Sequence, residues 1–198
     1  WKEVWGHAFK KELNVKDDLY SDNFTRQSEV AIIFHGDQIL GLCTLNRFNL
    51  NLQQDLDDSY FKVWPSDVIN KLKSEMHEVM SCCNATIDFK YRKNQLGFSG
   101  IDLLFSLIIL YMKSTNQQGI LGTARIEKKV PEACARTAAT FLAHNVPYTI
   151  PDHYIDLICW KRDLDLKVWD PEMRELAEFI WNRSTKIYHS EEGEKYAA

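Results

Sequence analysis

The run from Ala85 to Lys113, ATIDFKYRKNQLGFSGIDLLFSLIILYMK, constrains this chain most. It reads as a strand over 85–91, a short polar loop containing glycine, and a strongly apolar helix over 98–115. The helix is apolar around most of its circumference, so it has to be buried on most sides. Asp102 and Ser106 interrupt the run 101–112, which is too short to cross a bilayer. A loop at this place aims backbone N–H groups outward at the positive end of the helix dipole, a ready seat for a phosphate or pyrophosphate. A plain strand-to-helix turn with incidental glycines is the alternative.

The flanking elements follow from periodicity. Val4, Trp5, Ala8, Phe9 and Leu13 recur at helical spacing over 1–13. EVAIIF (29–34) and QILGLCTL (38–45) flank His35-Gly36-Asp37 and predict a β-hairpin. The stretch 46–58 is polar and reads as a long loop, and Pro65-Ser66 opens a helix that runs to Val79. A strand is expected within 119–130. Pro131 then starts a helix over PEACARTAATFLAHN that ends at Asn145. One or two strands fall in 148–161, and a last helix runs from Pro171 to Lys186. The order α, β, β, α, β, α, β, α, β, α predicts an α/β (α+β) fold. Its sheet is of mixed direction, mostly antiparallel, and flanked by helices. The expected organisation is one unit over 1–162, with an inserted loop and helix at about 46–83. A C-terminal helix and frayed tail follow over 163–198.

Composition narrows the class. The chain has 198 residues, 45% of them hydrophobic, which is enough for a sizeable core. Its net charge is −4 and no dense Lys/Arg cluster appears, which argues against a nucleic-acid partner. The five cysteines (Cys43, Cys82, Cys83, Cys134, Cys159) have neither metal spacing nor a disulfide framework. Reduced, buried thiols are expected, which favours a cytoplasmic protein. No signal peptide is visible, and the chain opens at Trp1 without a Met, which leaves room for residues upstream. His153 lies near Asp152 and Asp156, but no second His supports a metal, and none is expected.

The order of elements, together with Tyr91-Arg92-Lys93-Asn94-Gln95-Leu96-Gly97, resembles the GNAT superfamily, the acyl-CoA N-acyltransferase fold. The resemblance covers roughly 1–162. In that family the loop reads Arg/Gln-x-x-Gly-x-Gly/Ala, often after a Tyr. Here Gln95 stands at the middle Gly. A second register, Asn94 to Ser99, keeps that Gly but loses the leading basic residue; the first is preferred. The resemblance implies that acyl-CoA or coenzyme A serves as cosubstrate, with no permanently bound cofactor. It also implies that Ile87, Phe89, Arg92, Lys93, Asn94, Gln95, Leu96, Gly97, Phe98 and Ser99 bind it. Many members carry Tyr-x-x-x-Gly-Phe, whose Tyr protonates the departing thiolate. At Phe141-Leu142-Ala143-His144-Asn145-Val146 the Tyr is replaced by Phe141, which cannot donate a proton. Tyr148, Cys134 or His144 are the candidates to substitute, with a structural role for each as the alternative.

The long segment 46–83 is similar to an insertion in acyl-homoserine lactone synthases and long-chain N-acyl amino acid synthases, which take acyl groups from acyl-CoA or acyl carrier protein. Their usual Arg on the central strand is Asn84 here. Phe61 and Trp64, inside this segment, are candidates to line an acyl pocket or else to pack in a core. A carrier-protein donor would need a basic surface, for which Arg26, Arg47, Lys71, Lys73, Lys90, Arg92 and Lys93 are the candidates.

Aminolysis of a thioester needs a neutral amine, a polarised carbonyl and a leaving thiolate. Asp88, on the expected central strand, is the first candidate base and Glu127 the second; Tyr148 completes the candidate catalytic set. A bulge in the central strand would supply carbonyl-polarising N–H groups. The expected function is transfer of an acyl group to a small-molecule amine or amino acid. A catalytically silent binding protein of the same fold and a carrier-protein-dependent N-acyl amino acid synthase are the alternatives.

Overall fold

The computed structural model describes residues 27–92, 97–150 and 152–186, together with positions 4 and 6. Of the expected N-terminal helix, only Val4 and Gly6 are among them, both helical; its remainder, residues 93–96 of the loop and the C-terminal tail lie outside.

The described strands form one six-stranded sheet in the order β1-β2-β3-β4-β6-β5. β1 (Glu29–His35) and β2 (Gln38–Asn49) make the expected hairpin. β2 pairs antiparallel with β3 (Glu78–Ile87), and β3 lies parallel to β4 (Gly119–Arg125). β4 then pairs antiparallel with β6 (Tyr154–Lys161), which carries β5 (Thr140–Pro147) at the far edge. A parallel neighbour requires a crossover, and the apolar helix supplies it. The sheet is therefore mixed and mostly antiparallel, as the sequence predicts.

Between β2 and β3 stand a one-turn helix α1 (Gln53–Leu56), a 3-10 turn (Ser59–Val63) and α2 (Ser66–Glu75). The crossover helix α3 spans Gly100–Lys113, α4 spans Val130–Arg136 and α5 spans Pro171–Trp181. Pro171 at the first turn and Asp170, whose Oδ1 accepts from the Met173 N–H at 3.0 Å, start α5.

Both faces of the sheet are covered. On one, Leu103, Leu104, Ile108 and Met112 of α3 pack with Met80, Ile120, Ile158 and Trp160 and with Ala177 of α5. On the other, Phe48, Phe61, Trp64, Val68 and Leu72 pack with Val79, Leu121, Ile155 and Leu157. The alternation Ile120/Leu121 and Leu157/Ile158 divides each strand between the two cores. No helix among the described residues is long and apolar enough to cross a membrane.

Four expectations are corrected. β3 covers 78–87, not 85–91: covered on both faces, EVMSCCNATI shows no alternation to read. The helix from Ser66 stops at Glu75, where Met76 turns extended. The polar stretch after Leu45 continues β2 to Asn49 and then forms α1. The helix expected to Asn145 ends at Arg136; Ala138 turns left-handed (φ +62°) and Thr140 onward pairs with β6. Short apolar runs do not separate helix from strand by spacing, and here the free edge of β6 decides.

Candidate functional site: a cleft where the sheet parts

β3 and β4 are paired only from Val79–Gly119 to Cys82–Gly122. Beyond Cys82, β3 keeps to β2 while β4 keeps to β6, so the sheet opens between them. The cause is local. Thr44 faces Cys83 and Leu42 faces Thr86, so β3 holds one residue more than β2 over that step. Asn84 sits there with φ +55°, a left-handed conformation that Asn tolerates better than most residues. Its Nδ2 donates to Thr44 Oγ1 at 3.0 Å, while Thr86 Oγ1 donates to the Asn84 carbonyl at 2.7 Å. Gly122, at the last paired position of β4, leaves room beside Ile158: an added Cβ would lie 2.7 Å from Ile158 Cδ1.

The opening is a cavity of about 520 Å³ lined by both strands. On the α3 and α4 side its walls are Phe105, Val130, Cys134 and Trp160. On the other they are Phe48, Tyr60, Val63 and Tyr148. Phe61 and Trp64, for which a core and an acyl pocket were the alternatives, are buried in the second core. They carry the wall from behind: Phe48 and Tyr60 stack at 5.8 Å, and Phe61 meets their rings edge-on at 5.0 and 5.2 Å.

The thiols here are held protonated. Hydrogen bonding with Cys43 and burial push Cys82 up, and burial pushes Cys83 up to about 12. Burial likewise raises Cys134. None is an activated nucleophile. Phe141 lies on β5, beyond the left-handed Ala138 that follows α4. Cys134 lines the cleft, its thiol held protonated by burial. His144 is engaged elsewhere: Nδ1 lies 3.0 Å from Asp156 Oδ2 and its ring stacks on Phe141.

At the end of β4, Arg125 Nε donates to Glu127 Oε1 at 2.7 Å, and Nη2 lies 2.5 Å from the same oxygen. His153 Nδ1 stands 3.4 Å from it, so His153 faces Glu127 and not Asp152 or Asp156. Burial opposes the Glu127 charge, but its own backbone amide, Arg125 and His153 outweigh that and hold its pKa low. Glu127 belongs to a 3-10 turn (Ile126–Lys128) rather than to the strand. Tyr148 lines the cleft, and burial raises its phenol pKa.

Of the remaining expected residues, those among the described residues do not line the cleft. Asp88 follows β3, and its carboxylate accepts from the Lys90 N–H at 2.8 Å, which caps a 3-10 turn (Phe89–Tyr91). Ile87 is buried at the end of β3, whereas Phe89 is exposed. Arg92 folds back, donating to the Ile87 carbonyl at 3.0 Å and covering the Phe89 ring. Gly97 (φ +74°), Phe98 and Ser99 lead into α3, whose start abuts Ile87. Lys93, Asn94, Gln95 and Leu96 lie outside the described residues, as does Arg26. Arg47, another basic candidate, is paired with Glu29 at 2.5 Å.

The sequence reading missed the Asn84 bulge and the cleft-facing Tyr60 and Arg125. Asn84 drew attention there only for the Arg it replaces. An Asn inside a strand is the one signal that pointed to a left-handed residue.

No family model and no curated protein matches the sequence. Solved structures do match. A putative arylalkylamine N-acetyltransferase 7 from the yellow fever mosquito aligns with TM-score 0.58 at 14% identity, over 81% of this chain and 83% of that one. FeeM, an N-acyl amino acid synthase from uncultured soil microbes, aligns with TM-score 0.53 at 11% identity, over 89% and 91%. The putative acetyltransferase yncA from Salmonella typhimurium, solved with its cofactor acetyl-CoA, aligns with TM-score 0.51 at 12% identity, over 83% and 87%. The chain has the GNAT fold, and these structural neighbours are acyl- and acetyltransferases.

Proposed function

We propose that this protein is an N-acyltransferase that moves an acyl group from an acyl-CoA-type thioester to an amine inside the β3–β4 cleft. The observation that carries the reading is the parting of the two parallel strands at the Asn84 bulge, which makes a channel between the two cores. The comparisons support it through the fold alone.

In the reaction the amine nitrogen attacks the thioester carbonyl. A C–N bond forms, the C–S bond breaks, the nitrogen gives up a proton and the sulfur leaves as a thiolate that takes one. The backbone at the bulge is the proposed seat of the carbonyl, where amide dipoles stabilise the developing oxyanion. Tyr148, kept as a phenol by burial, is the proposed donor to the thiolate. Glu127, kept ionised, is the proposed acceptor of the amine proton through water, with His153 beside it. The base role is proposed for Glu127 before Asp88 because Glu127 adjoins the cleft-lining Arg125, whereas Asp88 caps a turn past the end of β3. With every cleft thiol protonated, the acyl group passes directly to the amine and not through an acyl-cysteine. The loop 92–99 remains the proposed pyrophosphate seat, since Gly97 to Ser99 lead into the positive end of α3.

The test is a thermal-shift titration with coenzyme A, acetyl-CoA and decanoyl-CoA, on the protein and on Ala85→Trp, which fills the cleft between Cys83 and the end of β3. A ligand that binds the folded state raises Tm with concentration. A rise that Ala85→Trp abolishes is expected. No shift with any of the three, together with no transfer to a panel of amines, would sink the proposal.

A further inference from the structure

We propose that Tyr60 is a further catalytic residue, whose hydroxyl donates a hydrogen bond to the carbonyl oxygen of the thioester and holds that oxygen as it gains charge. The proposal rests on the acyltransferase reading above and adds a side-chain donor to the backbone of the bulge.

Buried polar atoms are almost always hydrogen-bonded, so one that is not asks for an explanation. Tyr60 Oη is buried without a hydrogen-bond partner, and Tyr60 lines the β3–β4 cleft. Tyr148, the other phenol of the cleft, has a hydrogen-bonding neighbour in Thr149. The Tyr60 ring is held in place. Asp58 Oδ1 accepts from the Tyr60 N–H at 2.8 Å and caps the 3-10 turn that carries it. The ring stacks on Phe48 at 5.8 Å, meets Phe61 edge-on at 5.2 Å and lies tilted against Trp64 at 5.7 Å. Phe48 in turn stands on β2 opposite Val79 of β3, which ties this wall to the strand that bulges. A donor fixed in this way, and unpaired before substrate arrives, costs no reorganisation when charge develops in front of it.

Its neighbours set what it meets. After burial, Cys83 is the foremost group raising the Tyr60 pKa, so the phenol stands near the residue that precedes Asn84 and keeps its hydrogen. The polar groups of the bulge that face β2 satisfy one another: Thr44 Oγ1 donates to the Cys83 carbonyl at 3.2 Å and accepts from Asn84 Nδ2. The other edge of β3 has no strand partner beyond Cys82 and faces the cleft. A carbonyl oxygen seated against that edge has the Tyr60 hydroxyl on its insertion side. Such an oxygen only accepts, which is what an unpaired donor requires. As the amine nitrogen attacks, the π pair of the carbonyl moves onto this oxygen. Tyr60 strengthens its hydrogen bond and keeps its proton. The pair then returns to carbon as the C–S bond breaks.

The test is Tyr60→Phe, which keeps the ring and removes the hydroxyl. The first arm needs no turnover: difference infrared spectroscopy of bound acetyl-CoA, isotope-labelled at its carbonyl carbon. A hydrogen bond lowers the carbonyl stretching frequency. The bound thioester is expected below the free one in the parent, and Tyr60→Phe is expected to move it part of the way back. In the second arm, transfer to a panel of amines, kcat should fall about 10²-fold, the loss expected of an oxyanion donor, while KM for acetyl-CoA changes only a few-fold. In the third, urea unfolding of the ligand-free variant should show an equal or higher midpoint, because an unpaired buried hydroxyl is gone and the aromatic wall remains. A purely structural hydroxyl would lower stability and leave the carbonyl frequency unmoved. The same frequency in parent and variant, or an unchanged kcat, overturns the assignment of Tyr60 and leaves the acyltransferase reading standing. Absence of any acetyl-CoA or decanoyl-CoA binding to the parent overturns the acyltransferase reading itself, and the assignment with it.

Discussion

Asp102 in the first turn of α3 and Arg136 at the end of α4 grip each other through two parallel hydrogen bonds of 2.7 and 2.9 Å. Asp102 is buried, while half of the Arg136 side chain is in water. The pair ties α4 to the helix whose N-terminus is the proposed pyrophosphate seat. Arg136→Met leaves a buried carboxylate without its partner and is expected to cost about 1–3 kcal/mol in urea unfolding. Adding Asp102→Asn should recover part of that loss. Strict additivity of the two changes would show the pair to be uncoupled.

Asn84 offers a separate handle on the site. At φ +55° a β-branched residue is strained, whereas glycine is at ease. Asn84→Gly should unfold within about 1 kcal/mol of the parent, and Asn84→Val should lose about 1–2 kcal/mol or straighten the bulge. In either event Asn84→Val should lose more transfer activity than Asn84→Gly. Equal activity in both would show that the bulge does not matter to the reaction.

The cleft thiols make stability fall in alkali. Cys83 has a folded pKa of about 12 against an ordinary value of 9.0. Between these values the unfolded chain releases a proton that the folded one keeps, so the unfolded state binds fewer protons and stability declines as pH rises. Below pH 9 both states hold the proton and Cys83 adds no slope. Cys83→Ala should flatten the decline above pH 9, measured by denaturation at stepped pH. Rapid labelling of Cys83 by a thiol reagent in the native protein at neutral pH would contradict the protonated state.

Tyr148→Phe removes the proposed proton donor and little volume. Its kcat is expected to fall about 10²-fold, the range of a lost general acid, with acyl-CoA stabilisation retained. An unchanged kcat would remove Tyr148 from the mechanism.

Much of the fold was legible in the chain. The hairpin announced itself through alternation around His35-Gly36-Asp37, and α3 through an apolar run that only a buried helix can satisfy. β3 and β5 were harder for opposite reasons. β3 is covered on both faces and so shows no pattern, while β5 continues the helical spacing of α4 although the left-handed Ala138 before it has ended the helix. Of the candidate cleft, the sequence marked the neighbourhood, the end of β3 and the start of α3. The residues that line it were not marked, because they depend on register. Whether Asp88 faces a cleft or caps a turn is set by where β3 stops, and Tyr60 and Arg125 line one cleft only because β3 and β4 part after Cys82.

That opening also divides the sheet mechanically. β1-β2-β3 and β4-β6-β5 are two antiparallel ribbons, whose strands among the described residues pair with each other only between Val79–Gly119 and Cys82–Gly122, with the Gln118 N–H donating to the Glu78 carbonyl beside that seam. The amides of this short seam should exchange with solvent deuterium sooner than those of the long β2–β3 and β4–β6 ladders, because separating the ribbons breaks few backbone bonds. A molecule lodged across the seam would act as a clasp, slowing that exchange and making the two ribbons melt as one.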